Sequence, residues 1–377
     1  MKEKSNNIRK ILIFGVKPHW EFVSLPTNNL ANYLEKKGSN EIFYISDDLS
    51  FFHFFKWKFS FSLMNKFISI ILKSINDGNI TYLSAFSLFP NFSNISSIYD
   101  FLFLKLNFRF RSKKMKSVLS KNFDLVFCSS YRNYREFLKV KAKRKIFSIE
   151  DNPSGFGILS EEFILKADKL IGEDSSIERW CTSKSLIRER FPDAQYYTNG
   201  INSNFKIKLN FNKNKKCIYV GALDNWFDWE LVNESFEQIG DDLGFKLDIY
   251  GFSNTNVSKN IKSKHIEYKG PIKNVLLQNV LSKYSVGIIP FSKNDLIDYV
   301  NPIKFYEYLS TGLRTVSTSW KEIEELDYPY IYLSEREKFA SNIVKANEET
   351  FKGYEKQIEY FLKTKTYNYI FEEKIKI

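Results

Sequence analysis

Two places in this sequence put chemically capable side chains at a useful spacing. The first is Asn301-Pro302-Ile303-Lys304-Phe305-Tyr306-Glu307. If this stretch opens a helix, Lys304 lies in its first turn and offers a point charge suited to a diphosphate. Glu307, three residues on, shares that side of the helix and can accept two hydrogen bonds from vicinal hydroxyls such as those of a ribose. The competing reading is a surface helix whose Lys304 and Glu307 face solvent. The second place is Glu150-Asp151, directly after an apolar run and before Asn152-Pro153-Ser154-Gly155. A carboxylate at a strand end is a candidate general base; the competing reading is that Asp151 merely opens a turn made by the turn formers behind it.

The elements that must hold these groups read as alternating strands and helices. Strands are expected at 11–15, 41–46, 124–128, 145–149 and 168–172, then at 217–221, 245–251, 285–290 and 313–317, with helix-length segments between them. That rhythm predicts parallel sheets covered on both faces. Asn301 is a good N-cap and Pro302 is tolerated at the first helical position. A helix start at the carboxyl end of a parallel strand gathers free amides toward an anion, and Gly312 stops that helix. The last thirty residues, from Asn347, read as one or two amphipathic helices.

Composition narrows the classes. The chain has 377 residues, 43% hydrophobic and 27% charged, enough for two globular domains. Its three cysteines are far apart, so neither a disulfide framework nor a CxxC pair is present. With three histidines and no Asp-x-Asp, no metal cluster can be drawn, and no metal or cofactor is expected. Asp47-Asp48 and Asp241-Asp242 read as solvated loop residues, and Glu173-Asp174 as the start of a helix. Of the net charge of +12, residues 1–205 carry +11 (31 Lys/Arg, 20 Asp/Glu) and residues 206–377 only +1 (25 against 24). The first half should therefore meet something anionic. Between Phe51 and Arg111 there are 17 aromatics, seven Lys/Arg and two acids, and lysines interrupt every long apolar run, so no membrane span is expected there.

Pro302-x-Lys304-x-x-Glu307-Tyr308-Leu309-x-x-Gly312, before a Val-containing strand, resembles the donor-site pattern of GT-B-fold glycosyltransferases that build bacterial surface polysaccharides. The nearest likeness is to xanthan-type glucuronosyltransferases and teichuronic-acid-type transferases. Asn199-Gly200-Ile201-Asn202 is similar to that family's interdomain element. Val220-Gly221-Ala222-Leu223 with Phe227-Asp228 resembles the opening of its nucleotide-binding domain, and the first strand with His19-Trp20 the start of its acceptor domain. The resemblance implies two Rossmann-like, doubly wound domains facing a cleft: an acceptor domain over 1–205, a donor domain over 206–346 and a helical segment over 347–377.

It further implies a donor site in which Lys304 holds the diphosphate and Glu307 the ribose. Gly221 and Ala222 would approach with their backbone, Tyr250-Gly251 would sit near the base, and Pro302 and Tyr299 would border the site. Retaining members of the wider group carry a glutamate near the Tyr299 position, so this departure points to inversion. Asp151, matching the strand end that carries the catalytic aspartate in the xanthan-type enzyme, becomes the expected base and Glu150 the second choice. His19 and Trp20 fall on the acceptor side. The implied activity moves a sugar from a UDP-sugar to a lipid-linked oligosaccharide or other glycan, in the cytoplasm at the inner face of the plasma membrane. Residues 51–116 would face the anionic leaflet, the other reading being phenylalanines in a core and lysines on a solvated face. The rivals are a nucleotide-sugar epimerase of the same fold and a non-enzymatic basic binding protein. No nucleic-acid-binding pattern is present.

Overall fold

The computed structural model describes residues 8–15, 25–50, 74–87, 109–155, 159–202, 205–253, 256–326, 328 and 330–375. The expectations for His19, Trp20 and most of 51–116 lie outside them. The chain divides into two compact units: one mainly Thr27–Cys181 with Arg190–Tyr196, the other mainly Tyr197–Ile377 with Thr182–Glu189.

The first unit contains β1 (Arg9–Gly15), α1 (Pro26–Lys36), β2 (Asn40–Ser50), β3 (Ile75–Asp77), β4 (Ile80–Ser87) and β5 (Arg109–Phe110). These are followed by α2 (Lys113–Leu119), β6 (Asn122–Cys128), α3 (Tyr134–Lys139), β7 (Lys141–Ile149), α4 (Glu161–Gly172), β8 (Ile177–Cys181) and β9 (Gln195–Tyr196). Its sheet runs β3-β4-β2-β1-β6-β7-β8-β9, parallel except where β3 and β5 pair antiparallel with β4. From β1 the chain builds outward first through β2 and later through β6, so the switch point lies between β1 and β6. Ile80, Tyr82, Leu83 and Ala85 of β4 are buried, so β4, one of three described strands inside 51–116, belongs to the core.

Two expectations here are corrected. Residues 168–172 are the end of helix α4, not a strand. Ser160 caps that helix by accepting from the Phe163 amide, two glutamates favour its first turn, and Phe163, Ile164, Ala167 and Ile171 line its buried face. The strand comes later, at β8, where Glu178 and Arg179 disguise it; Glu178 pairs with Arg144 of neighbouring β7 at 2.6 Å. Likewise Glu173-Asp174 closes α4 rather than opening a helix, with Asp174 accepting from the Ser176 amide to turn the chain.

Helix α5 (Lys184–Arg190) precedes β9. The second unit then runs through β10 (Lys216–Val220), α6 (Trp229–Leu243), β11 (Lys246–Tyr250), β12 (Ile266–Gly270), α7 (Asn274–Leu281), β13 (Val286–Ile289), α8 (Ile303–Ser310), β14 (Arg314–Thr318), α9 (Lys321–Leu326), β15 (Ile331–Ser334), α10 (Phe339–Glu348), α11 (Glu355–Lys363) and α12 (Tyr367–Ile375). The sheet order β12-β11-β10-β13-β14-β15 is all parallel. Its switch point falls between β10 and β13, and α8 is the helix that follows β13.

The last two helices return to the chain at Asn199-Gly200-Ile201. The Ile201 amide donates to the Lys365 carbonyl at 2.7 Å, and the Tyr367 amide donates to the Ile201 carbonyl at 3.1 Å. A Cβ on Gly200 would stand 2.5 Å from that same Lys365 carbonyl, so glycine is what lets the two backbones meet.

Candidate functional site

In the second unit the positioning starts at Gly287 of β13. A Cβ there would lie 2.3 Å from the Tyr308 ring, so the missing side chain makes the seat for Tyr308 of α8. The seated Tyr308 hydroxyl accepts the Val220 amide at 2.9 Å. That bond fixes α8 against the end of β10, whose next residue is Gly221. Helix α8 stops where expected: Gly312 takes φ +84°, and a Cβ on it would meet Asn210 backbone.

Asn301 does not cap this helix. Pro302 occupies the cap position and gives no side-chain cap, no described side chain takes its place, and Asn301 is buried for another purpose. Its Nδ2 donates to the Thr182 carbonyl at 3.1 Å and its Oδ1 accepts from the Tyr328 hydroxyl at 3.0 Å. Its own carbonyl accepts from Asn199 Nδ2 at 2.8 Å. The asparagine ties the approach to α8 to the 199–201 segment. The consequence for chemistry is that the amides at the N-terminus of α8 stay without a side-chain cap, beside the β10/β13 switch point, where an anion is favoured.

Lys304 and Glu307 meet as expected from their spacing, with Nζ 2.7 Å from Oε2. The solvent-facing reading fails for Glu307, which is 1% exposed, while Lys304 keeps 28% of its side chain open. A carboxylate this deep needs a cation, and Lys304 supplies it. The other donor-side candidates divide. Gly251 is demanded by packing: a Cβ there would sit 1.7 Å from the Gly221 carbonyl oxygen. The Gly221 amide in turn donates to the Tyr250 carbonyl at 3.0 Å, so these two loops are locked together beside Ala222. The Tyr250 hydroxyl is 3.5 Å from that of Tyr284, which donates to Asp248 at 2.6 Å. The Tyr299 hydroxyl donates to Glu189 at 2.6 Å, and Lys321 lies over its ring. Asp228 caps α6 and pairs with Arg336.

In the first unit Glu150 and Asp151 leave the end of β7, next to β6 in the sheet. Both are half-buried. Burial pushes the Asp151 carboxyl up to about 7. Burial, reinforced by the neighbouring Asp151 charge and opposed by the Ser129 hydroxyl, pushes Glu150 up to about 8. Two adjacent carboxylates shifted into the neutral range suit proton transfer. The turn behind them also exists: Asn152 Oδ1 accepts from the Ser154 amide at 3.3 Å, and the Asn152 carbonyl accepts from Gly155 at 3.1 Å.

Sequence reasoning missed Asp47. It is not a solvated loop acid: its side chain is 13% exposed at the carboxyl-terminal part of β2. Its Oδ1 accepts from the Ser130 hydroxyl and from Asn133 Nδ2 (3.0 Å), and Arg132 Nε is 3.9 Å away. The three partners belong to the turn after β6, so Asp47 ties two strand ends across β1. Nothing local announces this, because the partners are more than 80 residues away. Among the described residues no group of three or more His, Cys, Asp or Glu is placed to hold a metal ion.

No protein-family model and no curated protein matches this chain. Solved structures do. A variant of S. aureus TarM, in complex with fondaparinux, alpha-GlcNAc-glycerol and UDP, superposes with TM-score 0.61 at 11% identity, covering 98% of this chain and 99% of that one. Anabaena Alr3699/HepE, in complex with UDP and glucose, gives TM-score 0.64 at 11% identity over 98% of both chains. An E. coli structure described as trehalose-6-phosphate bound with UDP-2-fluoro glucose gives 0.62 at 12% identity over 97% and 98%. At these identities the likeness is one of fold: two Rossmann-like units of the GT-B type.

Proposed function

We propose that this protein is a glycosyltransferase that moves a sugar from a nucleotide-sugar, a UDP-sugar by preference, to a lipid-linked or other glycan acceptor. The observation that carries the reading is the uncapped N-terminus of α8, beside the switch point of its sheet, with Lys304 in the first turn over the buried Glu307. Lys304 and the helix amides receive the diphosphate, and Glu307 accepts from the ribose hydroxyls. UDP bound to HepE and TarM supports the choice of nucleotide. The fold matches add no support to the epimerase alternative.

The acceptor hydroxyl is deprotonated by Asp151 as the sugar shifts, with Glu150 beside it. Tyr299, in place of a glutamate, supports inversion at the anomeric carbon. The reaction as proposed uses no metal and no cofactor. The acceptor is carried at the inner face of the plasma membrane, where the +11 charge of residues 1–205 meets anionic lipid. Among the described residues no helix is long and apolar enough to cross a membrane.

A thermal-shift panel of UDP, GDP, CMP and dTDP tests the donor reading. UDP is expected to raise the melting temperature more than the others. Stabilisation by none of them, with salt-sensitive binding to nucleic acid, overturns it. Proton NMR of the fresh product, read for the anomeric configuration, tests inversion.

A further inference from the structure

The strand end that carries Asp151 is enclosed by a ring of polar side chains that the reaction as described does not use. Arg190, at the end of α5, donates from Nη1 to Asn152 Oδ1 at 3.0 Å and to Ser154 Oγ at 3.4 Å. Its Nη2 lies 3.6 Å from Asp168 Oδ2 of α4. Asp168 is only 16% exposed on its side chain and accepts from the Tyr131 hydroxyl at 2.7 Å. Tyr131 belongs to the turn after β6, the turn whose Ser129 faces Glu150 and whose Ser130 and Asn133 are held by Asp47. The circuit therefore runs from the β6 turn through α4 and α5 back to the residues on either side of Asp151.

From this geometry we propose that Arg190, held by Asp168 and Tyr131, is a positioning residue that fixes the Asn152–Ser154 turn and so sets where the Asp151 carboxylate points. Asn152 and Ser154 form a turn on their own, through the Asn152 Oδ1 bond to the Ser154 amide. A turn of this kind fixes its own shape but not its attachment to the sheet. The guanidinium supplies that attachment, because Nη1 reaches both side chains of the turn while Nη2, on the other arm of the planar fork, is held by Asp168 of α4. Its charge is balanced by Asp168, and burial is the cause of the upward shift at Asp151. This inference rests on Asp151 being the base of the proposed transfer.

The experiment compares Asp151→Asn, Arg190→Gln, Arg190→Lys, Tyr131→Phe and the double variant Arg190→Gln with Asp151→Asn. Each is assayed by UDP release from a UDP-sugar panel with membrane extract as acceptor, alongside the melting shift produced by UDP. Arg190→Gln is expected to lower kcat on the order of 10- to 100-fold, since a 1 Å displacement at a reacting group costs about that much. KM for the donor and the UDP-induced shift should stay unchanged. Arg190→Lys should recover part of the loss, and Tyr131→Phe, one bond further out, should show a smaller loss of the same kind. The double variant should be no slower than Asp151→Asn alone, because residues acting as a unit are not additive.

If Asp151→Asn is inactive while Arg190→Gln turns over normally, the positioning role fails and the base assignment stands. Losses that multiply in the double variant, or that track lowered melting temperature in all variants, also overturn it. If Asp151→Asn retains near-normal turnover, the base assignment falls and the positioning role falls with it. Should Arg190→Gln not fold, Tyr131→Phe decides, and an unchanged kcat there overturns the proposal.

Discussion

At the scale of single residues, the proposed donor pair is a partly exposed cation over a buried acid. Glu307 lies in the interior with Lys304 as its cation, so removing the cation alters stability and the proposed binding together, whereas a neutral isostere of the acid separates them. Lys304→Ala strands a buried carboxylate and is expected to cost about 1–3 kcal/mol, the range for a buried polar group losing its partner. It should also remove most of the UDP-induced melting shift. Glu307→Gln keeps the volume and removes the charge, so its stability should change little while UDP affinity falls about tenfold, one charge-assisted hydrogen bond's worth. Calorimetric titration with UDP against urea unfolding separates the two effects.

The carboxylates at the end of β7 make predictions about pH. Asp151, pushed up to about 7, serves as a base only when ionised. The rate should therefore rise about tenfold per pH unit below 7 and level off above it. A pH profile flat between 5 and 8 would contradict the assignment. Stability moves the opposite way. Glu150 is raised from 4.5 to about 8 on folding, so between those values the folded state holds a proton that the unfolded chain has released. Its contribution is complete below 4.5 and is lost as pH rises through 8. Glu150→Gln removes this dependence and is expected to be more stable than the parent at pH 8.5, by about 1–3 kcal/mol, with little difference at pH 4.5. Denaturant titrations at the two pH values check it.

At the scale of elements, α8 is aimed by what lies beneath it. Gly287 makes room for Tyr308, and the Tyr308 hydroxyl holds the Val220 amide. Gly287→Ala forces the ring outward and should displace the whole helix. Overpacking of this kind costs about 1–3 kcal/mol, and UDP binding should weaken although no donor contact has been touched. Arg314 plays a comparable part for the far end of the same unit. Fully buried, it donates from Nε to the Ala346 carbonyl at 2.8 Å and from Nη2 to those of Asn212 and Asn347. It thereby binds the polar stretch before β10 to the end of α10. Arg314 is a side chain whose importance comes from what it fastens.

At the scale of the whole molecule, the charge is segregated: +11 in residues 1–205 and +1 in residues 206–377. Sedimentation with liposomes should show binding that grows with anionic lipid content and falls as salt rises, since exposed charges are screened over about 10 Å at 0.1 M. Binding indifferent to both would separate this chain from membrane-surface chemistry.

Much of the architecture was legible in the amino-acid order. Local physics places most strands as short apolar runs, stops α8 at Gly312, and puts Lys304 and Glu307 on one side of a helix, because a period of 3.6 residues leaves no other result. It fails where local and distant preferences compete. The charges in β8 hide a strand whose Glu178 finds Arg144 only in the assembled sheet, and the apolar end of α4 mimics one. Asn301 is a fine cap by propensity, yet its side chain is drawn inward by Thr182 and Tyr328. Whether Glu307 faces water or the interior, whether Asp47 is a loop acid or a tie between strand ends, and what grips the turn after Asp151 are decided by residues tens of positions away. The sequence by itself determined which groups have the right chemistry and the right local spacing. Burial, proton affinity and aim depend on long-range neighbours, and only the tertiary structure brings those into place.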